Sequence, residues 1–358
     1  MPGGSLEREA DTAVQEAVMW RRDLLRTAAA AGAGALIPAG LVDLIDQIRA
    51  STDRALNSGG LSVSDLDWWE QAVREHGFAF KTRPAAGLLF DVVADFAELA
   101  AHARQQHPSD VQVRLCVLLG QLAGIAGNLL VDLGGVRAGR RWFATAVTAA
   151  DETNDRSLHA WILARQATVG LYLGQPAQTA ITRARDAQRR VGRARCAGSV
   201  LAAATEARGL ARLGDAAAAR VALKRARLGA EELSDADRAN SIFGYPERQL
   251  GFHVASTLAL LGAQGEAERA CQDALALYPA SEHVLPALIR LDAAACLVRD
   301  GDVAGFDQAL ETLVAVPEGY RTALVVSRAR ELAAVSPGAG PGVCRRARDF
   351  GTAVDALV

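Results

Sequence analysis

Hydrophobic positions recur along most of the chain at three- and four-residue intervals, the spacing of one helix face. Glycines interrupt them at long, nearly regular distances. The clearest stretch is 249–279, QLGFHVASTLALLGAQGEAERACQDALALYP. Leu258, Leu260 and Leu261 close an apolar face, Gly262 breaks the helix, and a second helix restarts at Gly265-Glu266 and ends at Tyr278-Pro279. Ala255 stands seven residues before Gly262, and Ala267 and Ala274 stand five and twelve after it. Small side chains thus fall where the two helices of a hairpin must touch, and Pro279 falls where the second cannot continue. The pattern predicts a helix-turn-helix repeat of tetratricopeptide-like spacing.

The same break recurs at Gly134, Gly174, Gly214, Gly262 and Gly301, at intervals of 40, 40, 48 and 39 residues. Seven residues before each glycine stand Gly127, Ala167, Ala207, Ala255 and Ala294, an unbroken column of small side chains that close helix packing explains. Nine residues after each come Phe143, Arg183, Leu223, Cys271 and Leu310, so the column of large side chains fails in the second repeat. A period near forty exceeds the usual ~34 of the motif and calls for longer helices. The predicted fold is all-α, a tetratricopeptide-like superhelical array of antiparallel helix pairs.

Five hairpins are expected over 111–335, with the eight-residue excess between Gly214 and Gly262 placed in GAEELSDADRANSIFGYPE, where helix breakers gather. Before them, 41–110 reads as N-terminal helical repeats: an apolar face at 41, 44, 45 and 48, the breaker NSGG at 57–60, a helix opening at Ser64-Asp65 through Trp68, Trp69 and Val73, and a helix over Ala85–Ala103 with Leu88, Leu89, Val92, Val93 and Phe96 inward. The two tryptophans are adjacent, about 100° apart on a helix, so core or rim packing is expected of them rather than a stacking platform. Residues 336–358 read as a Pro/Gly linker and a short capping helix, which an array needs at its exposed end.

Residues 1–40 read as an N-terminal helix, over Leu6 to Met19, followed by Arg21-Arg22 and the alanine-rich stretch TAAAAGAGALIPAG. A twin arginine before an apolar stretch has the form of an export signal, but beyond the alanine-rich stretch itself no A-x-A cleavage site follows. The stretch is also too short and too weakly apolar to span a bilayer. A cytoplasmic location is expected, with export through a twin-arginine signal as the competing reading.

Composition changes this picture little. Half of the 358 residues are apolar and the formal charge is −2, which argues against a general nucleic-acid binder. The charge is uneven: residues 1–110 carry 10 basic and 16 acidic side chains, whereas 181–230 carry 12 and 3. The basic run Arg183, Arg185, Arg189, Arg190, Arg193 and Arg195 lacks interleaved aromatics, so a charged helix face is expected there and direct nucleic-acid binding is not. The five cysteines lie far apart without a CxxC pair, and His102 and His107 are five apart; buried thiols, no metal and no cofactor are expected. No GxSxG, HExxH, P-loop or GxGxxG context occurs, so an enzyme is not expected.

The phrases QLAGIAGNLLVDLG, RRWFATAVTAADETNDRSLHAWILARQ, SIFGYPERQLGFHVASTLALLG, LIRLDAAACLVRDGD and YRTALVVSRARELAA, within 21–334, resemble the tetratricopeptide-type C-terminal region of actinobacterial regulators that begin with a phage-repressor-like helix-turn-helix domain. In that family an Arg-Arg-x-x-Leu phrase, matched here by Arg21-Arg22-Asp23-Leu24-Leu25, links the two domains inside the cell. The resemblance implies a regulatory sensor or scaffold with a protein or peptide partner, and a homodimer as a further expectation. The sequence departs from the family before Arg21, where 1–19 is too short for a DNA-binding domain. A stand-alone module and a start that lies upstream both stay open. Two competing expectations stand beside the regulatory module: an exported repeat protein and an accessory scaffold for an enzyme.

In repeats of this kind the first helix of each hairpin lines a concave groove, and positions 13, 9, 6 and 2 before the turn glycine point there. They give Gln121, Asn128 and Asp132; Trp161, Arg165, Thr168 and Tyr172; Thr205, Arg208 and Arg212; and Gln249, His253 and Ser256. Arginines offer bidentate contacts and the aromatics offer buried area, so this face is the expected ligand or peptide site.

Overall fold

Each of the five turn glycines ends a helix by the same closure. The residue after the glycine donates its N–H to a carbonyl five positions back: Gly135 to Leu130, Gln175 to Gly170, Asp215 to Leu210, Ala263 to Leu258 and Asp302 to Leu297. This wrap requires a left-handed residue at the glycine, and Gly134, Gly174, Gly214, Gly262 and Gly301 have φ of 84°, 69°, 78°, 71° and 87°. A side chain there would be strained.

The computed structural model describes residues 61–357 other than 104, 193 and 335–339. Among them it contains fourteen α-helices and no strand. The expected helix within 1–19, Arg21-Arg22, the alanine-rich stretch to Gly40, the apolar face at 41–48, the breaker at 57–60 and the linker at 336–339 lie outside the described residues.

The first two helices precede the glycine-turn pairs. α1 (Val63–Ala79) starts at a capping box in which Ser62 and Asp65 exchange backbone and side-chain hydrogen bonds. Trp69 is buried, whereas Trp68 stays 54% exposed and touches it edge-on. α2 (Ala85–His102) buries Leu88, Val92 and Leu99, while Leu89, Val93 and Phe96 are only partly covered.

The glycine turns join α3 (Ser109–Asp132) to α4 (Val136–Asp151), α5 (Arg156–Tyr172) to α6 (Ala177–Val191), α7 (Ala197–Arg212) to α8 (Ala216–Glu231), α9 (Glu247–Leu261) to α10 (Gln264–Ala276), and α11 (Val284–Arg299) to α12 (Ala304–Ala315). Neighbouring helices pack against one another in a repeat-like succession. After a short 3₁₀ turn at Glu318–Tyr320, α13 (Ala323–Ala333) and α14 (Pro341–Ala356) end the array, and Phe350 and Val354 of α14 are buried.

The column of small residues explains how closely the pairs approach. A Cβ on Gly127 would lie 3.1 Å from the Phe143 ring and 3.2 Å from the Gly139 carbonyl, so α3 and α4 meet almost backbone to backbone. Ala167, Ala207, Ala255 and Ala294 are fully buried at the matching places. In the second repeat the buried face of α6 is Ala180, Ala184 and Ala187, one residue later than Gly139, Phe143 and Ala146 in the first. Gln175-Pro176 lengthens that turn by one residue, because Pro176 serves as the N-cap. The slip places Arg183 off the core and Ala184 on it.

α3 has the length and apolarity of a membrane span, but 78% of its most apolar window is buried inside the protein. It is covered by α1, α2, α4 and α5. Each large aliphatic side chain it buries contributes roughly 1.5–3 kcal/mol.

The segment 233–246, between α8 and α9, is not helical and folds inward. Ile242 is fully buried in the core cluster that α1 to α5 build, and its N–H donates to the Gly77 carbonyl at 2.8 Å. Asp237 fixes the segment to the start of α7 by accepting from the Ala197 N–H at 3.0 Å. At the far end of the chain, Ser327 of α13 donates to the Tyr172 carbonyl at 2.8 Å, and the Tyr320 hydroxyl donates to the Thr82 carbonyl. The last helices thus return to the first.

Candidate ligand site

The first helices of the pairs turn their polar positions onto a partly open cavity of about 100 Å³. From α3 come Asn128 and Asp132, from α5 Arg165, Thr168 and Tyr172, and from α9 Gln249 and His253. Leu201 and Leu288 supply the equivalent wall from α7 and α11. The residues between α1 and α2, Phe80 and Lys81, and those around α13, Tyr320 and Leu324, complete it. Beside it, on the other side of Tyr172, a void of about 10 Å³ is lined by Arg208, Arg212, Ser256, Asp292 and Arg328, room for roughly one water.

Where an open groove is expected, part of this face is covered by the chain's own 233–246 segment. The Ile242 carbonyl accepts from Trp161 Nε1 at 2.8 Å and from Arg165 Nη2 at 2.5 Å. Phe243 packs on the Trp161 ring, with centroids 4.9 Å apart, and Tyr245 stacks on His253 at 5.8 Å. Trp161 is therefore used as a strut for the segment. Replacing it with phenylalanine removes one donor and leaves Arg165 on the same carbonyl, so a loss of about 1–2 kcal/mol is expected. It should appear in urea denaturation and as faster tryptic cleavage at the exposed Arg238. Unchanged cleavage would mean that the indole does not hold the segment.

The charges on the cavity wall are poorly matched. Asp132 is the last residue of α3, where the helix dipole disfavours a negative charge, and among the described residues no side chain pairs with its carboxylate. Burial pushes that carboxyl up to about 7 against the pull of Arg165. Burial likewise brings the Lys81 ammonium down to about 7, with Arg165 adding to the effect, and its one hydrogen bond goes to Gln249 Oε1 at 3.2 Å. The Arg165 guanidinium is lowered by burial to about 10. His253 is held neutral, well below its usual range, first by burial and then by Arg208, Arg165 and Lys81.

Buried polar atoms without a partner among the described residues lie on this cavity, at Arg165 Nε, the Tyr172 hydroxyl and His253 Nδ1, and on the neighbouring void, at Arg208 Nε and Nη1 and Ser256 Oγ. Arg208 lies over the rings of Tyr172 and Phe252, 4.4 and 5.2 Å from their centroids. Burial raises the Tyr172 hydroxyl to about 12, so the ring stays neutral beneath that cation.

The remaining expected site residues lie elsewhere. Thr205 is fully buried and bonded to Thr168 at 2.7 Å. Arg212 is engaged by the Leu171 carbonyl and Glu331. Gln121 is half-buried and lines neither cavity. The sequence pattern missed Leu288 and Asp292, which hold positions 13 and 9 before Gly301, so extending the same register to the fifth pair finds both. It also missed Lys81, whose signal was residue type: it is one of two lysines among 39 basic residues.

The basic run on α6 is largely met within the protein. Arg185 pairs with Glu206, Arg189 and Arg190 with Asp186, and Arg195 with Glu232. Cys116, Cys196, Cys271 and Cys296 are buried, and burial drives the Cys271 thiol up to about 12. Among the described residues no cluster of three or more His, Cys, Asp or Glu is placed to hold a metal ion. No family model matches the chain, and no curated protein or solved structure matches it.

Proposed function

We propose that the chain is a non-enzymatic sensing module, a tetratricopeptide-like superhelical array that encloses a small molecule among the first helices of its pairs. It works in the cytoplasm, where its scattered thiols stay reduced, as part of a transcription-regulatory system whose protein partner reads the filled and empty states. The observation that carries this reading is three buried, partnerless polar atoms on the wall of one cavity, Arg165 Nε, the Tyr172 hydroxyl and His253 Nδ1. Leaving such a group unsatisfied costs about 1–3 kcal/mol, and a ligand that meets several of them recovers it.

The wall draws on residues from the α1–α2 link to α13, so an occupant touches segments distant in sequence that bonds such as Lys81–Gln249 and Ser327–Tyr172 also join. A ligand with different affinity for two arrangements of these segments shifts the balance between them. A peptide laid in an open groove is less favoured, since 233–246 already covers Trp161 and Arg165.

The test is to purify the protein from its host, denature it and analyse the released small molecules by mass spectrometry, beside a Leu201→Trp variant that fills the cavity. A stoichiometric compound in the native protein, absent from the folded variant, is expected. An empty native protein that also takes up nothing from a host metabolite extract would overturn the reading.

A further inference from the structure

We propose that the occupant of the cavity is a small monocarboxylate with a compact apolar body, its carboxylate held by Arg165 and Lys81. This rests on the cavity being a ligand site and adds the chemistry it selects.

The charge pattern comes first. Glu282, the acid nearest Lys81, is taken by Arg248 at 2.7 Å and Asn240 at 3.0 Å. Asp292, beyond Tyr172, is taken by Arg328 at 2.6 Å. Arg165 and Lys81 enter no ion pair among the described residues, and each makes a single hydrogen bond, to the Ile242 carbonyl and to Gln249 Oε1. The third cation nearby, Arg208, meets only aromatic faces. Against these stands one unpartnered acid, Asp132, whose burial favours its neutral, hydrogen-bond-donating form below about pH 7. An interior with surplus, unpaired cations is met by an anion. The free edge of a guanidinium suits a carboxylate, which accepts parallel N–H bonds.

The size and the rest of the lining set the body. Phe80, Leu129, Val169, Phe252, Leu288 and Leu324 give the cavity apolar walls. An apolar cavity on the order of 150 Å³ accepts benzene, so about 100 Å³ here suits a ligand no larger than benzene, of about four to six non-hydrogen atoms. A branched or cyclic chain fits that shape better than a long one. A dicarboxylate would bring a second negative charge against these apolar walls, since the third cation, Arg208, sits over the Tyr172 and Phe252 rings and lines the neighbouring void rather than this cavity.

The experiment titrates the unaltered full chain with propionate, butyrate and isobutyrate, each beside its own amide, by calorimetry and thermal denaturation. Saturable binding of at least one acid, ten-fold or more tighter than its amide, is expected. Arg165→Met and Lys81→Met should each weaken that acid at least ten-fold while leaving the amide unchanged, in variants whose circular dichroism matches the parent. Arg165→Met leaves the Ile242 carbonyl bonded to Trp161, so the 233–246 segment keeps a hold. Equal binding of acid and amide in the parent protein overturns the inference without any variant, as does undiminished acid binding in either folded variant. If none of the acids binds but the native protein carries another compound, this inference falls and the sensing reading stands. If the protein is empty and binds nothing, both fall.

Discussion

Gly198→Ala is expected to lower the unfolding free energy by about 4 kcal/mol or more, a size reached only when a substitution breaks a specific structural requirement. A Cβ at Gly198 would lie 2.5 Å from the Trp161 backbone nitrogen, 2.8 Å from its Cα and 2.9 Å from the Ala160 carbonyl carbon. These are backbone atoms inside α5, so no rotamer change relieves the clash and the start of α7 must move away. Overpacking without an escape route typically costs about 1–3 kcal/mol, occasionally more, and here the displaced residue is Trp161 itself. Its indole bonds Ile242 and packs on Phe243, so the 233–246 segment and the Arg165 side of the cavity move with it. Gly265→Ala is the matched control. Near the start of α10, a Cβ there meets nothing within 4 Å, and alanine should be neutral or stabilising by up to ~1 kcal/mol. Urea denaturation of both variants decides the matter, and a Gly198→Ala midpoint close to that of Gly265→Ala would show that α5 and α7 are not in backbone contact.

These two glycines look alike in the sequence, and the difference marks what the sequence makes legible. The turn glycines could be read because a left-handed helix terminus admits little else, and the alanine column because each hairpin repeats the same close approach. The face that holds Asn128, Asp132, Arg165, Thr168, Tyr172, Gln249 and His253 could be read from its offset to those turns, and the structure brings these residues to one cavity. Periodicity misses what happens where it lapses. One residue added before Pro176 displaces the buried face of α6, and the sequence shows it only as Arg183 falling in the column of large side chains. The 233–246 segment is recognisable as a break, but its destination is not, because its partners Trp161 and Gly77 lie far away in sequence. That segment covers part of an expected open groove and leaves a partly open cavity. Lys81 was hidden for the same reason: it sits in the link between α1 and α2, outside any repeat, and reaches the site only through the fold.

Asp132→Asn is expected to raise the unfolding free energy by about 3 kcal/mol at pH 8 and to leave it nearly unchanged at pH 4. The carboxyl titrates near 3.8 when unfolded and at about 7 when folded, because burial outweighs the attraction of Arg165. Between those values the folded chain keeps a proton that the unfolded chain has lost, so stability contributed by the protonated acid is present below pH 4 and is lost as the pH rises to 7. A shift of that size corresponds to about 4 kcal/mol at about 1.4 kcal/mol per unit, reduced to about 3 because Asp132 keeps part of its surface exposed to solvent. Asparagine keeps the shape and never ionises, so its advantage should grow across that window. Lys81 works in the opposite sense. Its ammonium is lowered from 10.5 to about 7, so stability rises as the pH climbs from 7 towards 10.5 and the unfolded chain alone holds the extra proton. With Arg165, Arg248, Glu282 and His253 facing the same space, the parent protein should show a stability minimum near pH 7, and Asp132→Asn should keep only the alkaline rise. An advantage equal at every pH would place its cause outside the titration of Asp132. A pH-dependent one means that α3 ends in an acid that works against both burial and the helix dipole, a cost that a folded scaffold has no need to carry and that a ligand contacting Asp132 offsets.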